Sequence, residues 1–269
     1  SNTSYTITAL SGGNPNLRPE IADTLTAGMV WSPVSSWFEG LQASIVWYQI
    51  DIQDRVGSLG AQRIITDCVA GDTSLCQYIT RNPTSGVIER VFNVNLNVAA
   101  ATTSGVDLEV RYDTEPDFLS DLDERFTWRL FMGYLGENSV TTTTYRDDVG
   151  SSSSPEWSAS TTFGYDFDRY GVRLSARYFD KTMYDVLWVE GRDVDDNWAA
   201  SQTTFNLGLN YRGETASGGD WLASFNITNL LNRDPPIIPS QSQRGGQQNI
   251  SNQYDAYGRR YQLSLNYNF

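Results

Sequence analysis

The 269-residue chain contains no histidine. That removes Ser-His-Asp and Cys-His nucleophile systems, His-ligated zinc and the usual pH switch near neutrality. Lysine is almost missing too: Lys181 is one of 19 basic residues, and the rest are arginine. Against 32 acidic residues the net charge is −13. A nucleic-acid partner is therefore not expected, since phosphate recognition needs basic patches. No apolar run approaches the ~18 residues of a membrane helix. Ser1 to Leu10 is polar and uncharged, unlike a secretory signal. The glycines of "QRGGQQN" lack the Lys-Ser/Thr of a phosphate loop. Cysteine is limited to Cys68 and Cys76, in "TDCVAGDTSLCQYI". Two thiols without histidine leave a metal shell half empty. They are either unrelated thiols or, in an oxidising compartment, a local disulfide. Such a bridge would restrict the unfolded chain by about 2.5 kcal/mol.

What is present is alternation. In "GRRYQLSLNYNF" (Gly258 to Phe269), Tyr261, Leu263, Leu265, Tyr267 and Phe269 share one parity, and Arg260, Gln262, Ser264, Asn266 and Asn268 the other. Period two means a strand with one apolar and one polar face. The pattern recurs in rows such as Leu25, Ala27, Met29 and Trp31, then Val106, Leu108, Val110 and Tyr112. Further rows start at Leu41, Phe126, Trp157, Val172, Phe205 and Trp221. The count is about nine strands of roughly ten residues, the length of a tilted membrane strand. "TSYTITAL" (Thr3 to Leu10) also alternates and is read as the tail of one more. Helical spacing is nowhere sustained.

The connections alternate as well. Short ones fall near 33–40, 113–124, 168–171 and 213–220. Long ones fall near 57–90, 136–155, 186–200 and 233–254. A soluble sandwich has no reason for this rhythm, whereas a membrane barrel has short periplasmic turns and long external loops. Aromatics make up 13% of the chain. Trp31, Trp47, Tyr112, Trp128, Trp157, Tyr211, Trp221 and Tyr261 are assigned to strand ends, as girdles at the lipid–water boundary.

Three stretches carry a family resemblance. "SGGNPNLRPEIADTLTAGMVWSP" (Ser11 to Pro33), "FNITNLLNRDPP" (Phe225 to Pro236) and the closing "GRRYQLSLNYNF" resemble the later barrel strands of TonB-dependent outer-membrane receptors. The cysteine loop followed by "VNLNVAAATTSGVDLEVRYD" is similar to receptors of this kind. The resemblance implies an all-β fold, an antiparallel up-and-down transmembrane β-barrel. Residues 1–269 would be its C-terminal portion, about 9–10 of roughly 22 strands. Plug domain and N-terminal strands would be missing, and Ser1 would be a cut within a longer protein.

It further implies a Gram-negative outer-membrane location and no enzyme activity or cofactor. The cargo would be a scarce solute such as an iron–siderophore complex or an oligosaccharide. Partners would be outer-membrane lipid, the remaining barrel and plug, TonB through the missing part, the barrel-assembly machinery and a small-molecule ligand. Tyr261, Leu263, Leu265, Tyr267 and Phe269 would be the assembly signal. The alternative is a small self-contained barrel acting as an adhesin or anchor. A barrel-borne hydrolase is weaker still without histidine.

For ligand capture, "MYDVLWVEGRDVDDNW" (Met183 to Trp198) combines Tyr184, Trp188 and Trp198 with Asp193, Asp195 and Asp196. Aromatic faces and polar groups suit sugars, although the same rings would serve a girdle and the same acids a solvated loop. The acid groups Asp147/Asp148 and Asp193/Asp195/Asp196 would serve acid–base catalysis, bind calcium, or form solvated loops. Arg111, Arg129, Arg173, Arg177, Arg212 and Arg260 fall on the polar parity. They would contact an anionic ligand, face the plug or pair with acids.

Overall fold

The structure is a computed structural model. It describes residues 7–34, 38–119, 122–142, 144–215, 218–236, 238–239, 248–249 and 257–268. In chain order the elements begin with β1 (Thr8–Gly12), β2 (Ile21–Trp31), β3 (Leu41–Gly57), α1 (Ala61–Val69), α2 (Thr73–Cys76), β4 (Ile79–Arg81) and β5 (Ile88–Val94). They continue with β6 (Leu96–Thr114), β7 (Glu124–Thr141), β8 (Tyr145–Asp147), β9 (Trp157–Phe167), β10 (Tyr170–Phe179), β11 (Thr182–Met183) and β12 (Trp198–Ala199). The last are β13 (Gln202–Glu214), β14 (Asp220–Thr228), β15 (Ile238–Pro239), β16 (Gln248–Asn249) and β17 (Arg260–Asn268).

One sheet dominates. Its order is β17-β14-β13-β10-β9-β7-β6-β3-β2, so each long strand lies beside its neighbour in sequence, with β8 added to β7. This is an up-and-down meander, and its connections keep the short–long rhythm. Three strands run well beyond the expected ten residues: β3 has 17, β6 has 19 and β7 has 18. The alternation weakens toward their long-loop ends, which is why it showed only part of each.

The strand registers carry the faces across the sheet. Trp128, Phe163, Leu174, Leu207, Ile227 and Tyr261 pair in succession over six strands. One residue along, Thr127, Gly164, Arg173, Gly208, Asn226 and Gln262 do the same. A slip of one residue in any pair would interleave the two lines and mix the faces. The face to which the first line belongs is exposed within this chain: Phe163 and Leu209 are each 39% exposed, Tyr261 62% and Leu263 78%.

Rings mark the short-turn ends. Centroids run Phe167–Tyr170 at 5.4 Å, Tyr170–Tyr211 at 4.9 Å and Tyr211–Trp221 at 5.3 Å. Two of the aromatics assigned to strand ends lie elsewhere. Trp47 and Trp128 sit inside β3 and β7. Trp128 stacks on Phe163 at 5.9 Å and donates its indole N–H to Thr161 Oγ1 at 2.9 Å. A satisfied N–H removes the need for a wet boundary.

The chain divides into two compact units. The first comprises Ser1–Thr24, Ile50–Thr102 and Ser139–Arg146; the second comprises Leu25–Gln49, Thr103–Asn138 and Asp147–Phe269. The first unit holds a small core of its own, in which Ile64, Leu75, Ile88, Val91 and Leu96 are buried. Here two expectations fail. The long connection after β3 contains α1 and α2, although helical spacing was not sustained in the sequence. A helix this short covers only part of the window in which periodicity is read. Of the segment read as the tail of a further barrel strand, residues 8–10 enter β1, which pairs in parallel with β5 in a separate three-stranded sheet, β1-β5-β4; residues 3–6 lie outside the described residues.

Side-chain amides stitch this unit together. Asn97 Oδ1 accepts from Arg18 N at 2.8 Å, and its Nδ2 donates to Arg18 O and Asp54 O. Arg18 also pairs with Asp54 at 2.7 Å.

Candidate functional site

The loop 180–201 between β10 and β13 folds back on itself through the two-residue strands β11 and β12, which pair Thr182 with Ala199 and Met183 with Trp198. Its organiser is Asn197, which is 3% exposed. Asn197 Nδ2 donates to Asp185 O at 2.8 Å and to Trp188 O at 3.3 Å, Oδ1 accepts from Asp185 N at 3.2 Å, and N donates to Glu190 Oε1 at 3.1 Å. The sequence reading passed over this residue, because one amide in an acidic run carries no periodic or motif signal.

Around this hub the singled-out residues take different positions. Tyr184 packs against the buried pair Phe179 and Ala199. Trp188 closes a turn on Asp185. Trp198 is 36% exposed, with the Lys181 Nζ 4.4 Å from its ring centre. Asp193 Oδ2 accepts from Val189 N at 2.9 Å and pairs with Arg192 at 2.7 Å. The Arg192 guanidinium, and then the Val189 N–H, hold the Asp193 carboxyl below its ordinary range. Asp196 Oδ1 accepts from Trp198 N at 3.0 Å. Asp195 is exposed and makes no such bond among the described residues. Two of the three acids thus shape turns, and Trp198 with Lys181 is left as an aromatic–cationic surface.

Asp147 is likewise a turn former: its Oδ1 accepts from Asn138 N and Val149 N at 3.2 and 3.0 Å. Among the described residues no group of three or more His, Cys, Asp or Glu is arranged to hold a metal ion. In the first unit Cys68 and Cys76 are joined by a disulfide with Cα atoms 5.1 Å apart. Cys68 packs on the core that holds Ile64 and Val91.

The polar-face arginines separate into groups. Asp113 receives Arg125 through two bonds of 3.0 and 2.7 Å, with Arg111 at 3.7 Å. Arg173 pairs with Asp166 at 3.3 Å. Arg177 lies over the Phe179 ring and Arg260 over Tyr257. Arg212 lines a cavity of about 590 Å³ near the short turns. A second cavity of about 290 Å³ is lined by Asp113, Arg125, Thr127, Arg129, Thr162, Asp166 and Arg173. Of the closing row, Tyr261, Leu263, Leu265 and Tyr267 lie on β17 and share the apolar lines of the sheet; Phe269 lies outside the described residues.

An antiparallel meander of long strands, apolar on one face and polar on the other, with short and long connections in alternation, is the wall of an up-and-down transmembrane β-barrel. The chain belongs to the TonB-dependent receptor-like β-barrel family, whose model matches residues 1–230. Among solved structures, a double mutant of the ferric enterobactin receptor PfeA from Pseudomonas aeruginosa matches with a TM-score of 0.62 at 14% identity. That match covers 96% of this chain and 32% of PfeA. The siderophore receptor PirA from Acinetobacter baumannii matches at 0.53 and 15% identity, over 95% of this chain and 32% of PirA. The FrpB iron transporter from Neisseria meningitidis matches at 0.50 and 12% identity, over 96% of this chain and 32% of FrpB. At these identities the likeness is one of fold. The chain spans about a third of the length of each. No curated protein matches it.

Proposed function

We propose that these residues form barrel wall and external loops of a TonB-dependent outer-membrane receptor that imports an iron–siderophore complex. The observation that carries the membrane part is the exposed apolar face that runs across the sheet. A single-layer sheet cannot leave such a face in water, and lipid is the solvent that suits it. Short turns then face the periplasm and long loops face outside. Iron as cargo is favoured over an oligosaccharide because the matched structures are receptors or transporters for iron or siderophores. The loop 180–201, with Tyr184, Trp188 and Trp198 set around Asn197, would belong to the capturing surface, with Asp193, Asp195 and Asp196 on its exposed side. TonB and a plug would be engaged by parts of the receptor outside this chain. Tyr261, Leu263, Leu265, Tyr267 and Phe269 would be read by the barrel-assembly machinery. The family is one of transporters rather than enzymes.

The test is uptake of radioactive iron, supplied as a panel of ferric siderophores, by cells with and without the full-length receptor. Uptake that needs both the receptor and TonB supports the reading. Receptor-dependent uptake of labelled oligosaccharides, with none for any iron complex, replaces the cargo but keeps the transporter. A protein absent from the outer-membrane fraction overturns both.

A further inference from the structure

We propose that the cavity around Arg129 is a binding site for an oxyanion, a carboxylate or phosphate group. Its lining carries three arginines and two aspartates in a chain whose net charge is −13. The two carboxylates are already engaged. Asp113 holds Arg125 through paired bonds of 3.0 and 2.7 Å, and Asp166 holds Arg173 at 3.3 Å. Arg129 has neither an ion pair nor a side-chain hydrogen bond among the described residues. Its charge therefore stands without a counter-ion beside two formed ion pairs.

The other donors are hydroxyls. Thr162 is the direct register partner of Arg129, and Thr127 lies two residues before Arg129 on the same face of β7. Both line the cavity. A guanidinium offers its donors in a planar fork, which matches two oxygens of a carboxylate or phosphate, and a threonine hydroxyl can donate to a third. Gly164 keeps the space open, because a Cβ there would lie 3.2 Å from Arg173 Nη1 and against Thr127 Oγ1. A volume of about 290 Å³ suits one charged group rather than a whole siderophore. The oxyanion has two sources: a free anion, or an Asp or Glu side chain from receptor sequence outside these residues. The second source rests on the receptor reading; the first does not.

The experiment uses the full-length receptor in detergent, with inorganic phosphate as probe at constant ionic strength. Thermal unfolding and phosphorus NMR line width are followed for the wild type, Arg129→Gln, Arg129→Glu and Thr162→Val. A free-anion site gives a saturable rise in Tm that Arg129→Gln weakens at least about tenfold in apparent affinity. Thr162→Val, which leaves both ion pairs intact, weakens it as well and guards against a folding defect at position 129. A side chain already in place gives no phosphate response in the wild type, but Arg129→Glu then lowers Tm further than Arg129→Gln. A phosphate response undiminished in Arg129→Gln overturns the proposal. So does no response at all, with both Arg129 variants unfolding at the wild-type temperature.

Discussion

Replacing Asn229 with alanine should open the turn that leads out of β14 and toward β17. Asn229 is 2% exposed and has a φ of 54°. Its Nδ2 donates to Arg233 O at 2.8 Å, and its Oδ1 accepts from Arg233 N at 2.9 Å. Its own N donates to Asn206 Oδ1 at 3.0 Å, which fixes the turn to β13. Alanine loses both side-chain bonds, each contributing about 1 kcal/mol. It also takes on the left-handed backbone without an amide to offset it, at about 1 kcal/mol. The local cost is then about 3 kcal/mol.

Amide hydrogen exchange on the full-length receptor reads this directly. At about 1.4 kcal/mol per tenfold, the Arg233 amide of Asn229→Ala should exchange about a hundredfold faster than wild type. The Arg259 amide should follow, because it donates to Asn232 Oδ1 at 2.8 Å and Asn232 lies in the same turn. Exchange at Arg233 within about threefold of wild type in the alanine variant would refute the assignment of that turn to Asn229.

Four other perturbations test separate parts. A Cβ at Gly213 would overlap the Trp221 indole, so Gly213→Ala should cost about 1–3 kcal/mol in urea unfolding, and less in a Trp221→Leu background; equal costs in both would remove the ring from the explanation. A maleimide should label Cys68 and Cys76 only after reduction, and reduction should ease proteolysis around α1 and α2; labelling of the untreated protein would show free thiols. Because the Asp193 carboxyl is held below its ordinary range, its bonds to Arg192 and Val189 are fully present above the unfolded carboxylate pKa. They are lost as pH falls through the lowered folded value. The Val189 amide should therefore lose protection only in acid, and Asp193→Asn should flatten that dependence; a midpoint at or above the ordinary carboxylate value would contradict the geometry. Phe269→Ser should reduce heat-modifiable barrel in the outer-membrane fraction, and unchanged levels would sink the assembly role of the terminal residue.

The wall was legible because each of its residues answers to one of two environments in strict turn. Leu174 and Leu207 had to share a face with Phe163 whatever the loops did, and their pairing follows from parity plus a short turn. The excursion after β3 was not legible, because α1 is nine residues long and Gly60 before it offers no side-chain cap. Asn197 was invisible for a different reason. It organises Asp185, Trp188 and Glu190 only once β11 and β12 have closed the loop, and no fixed spacing in the sequence encodes that closure.

Arg129 lies between these cases. Parity gives its face, and register gives Thr162 as its neighbour. Its lack of a counter-ion follows from neither. Asp166 stands directly opposite Arg125 in the register, yet it is held by Arg173, while Arg125 turns to Asp113. Two carboxylates thus serve other arginines across four adjacent strands, β6, β7, β9 and β10, and the surplus charge falls to Arg129. That outcome depends on a competition settled in three dimensions, where charged side chains choose among several partners within reach. A sequence gives the contestants and their faces; which cation is left over, and so where an anion can bind, is decided by the packing of the sheet.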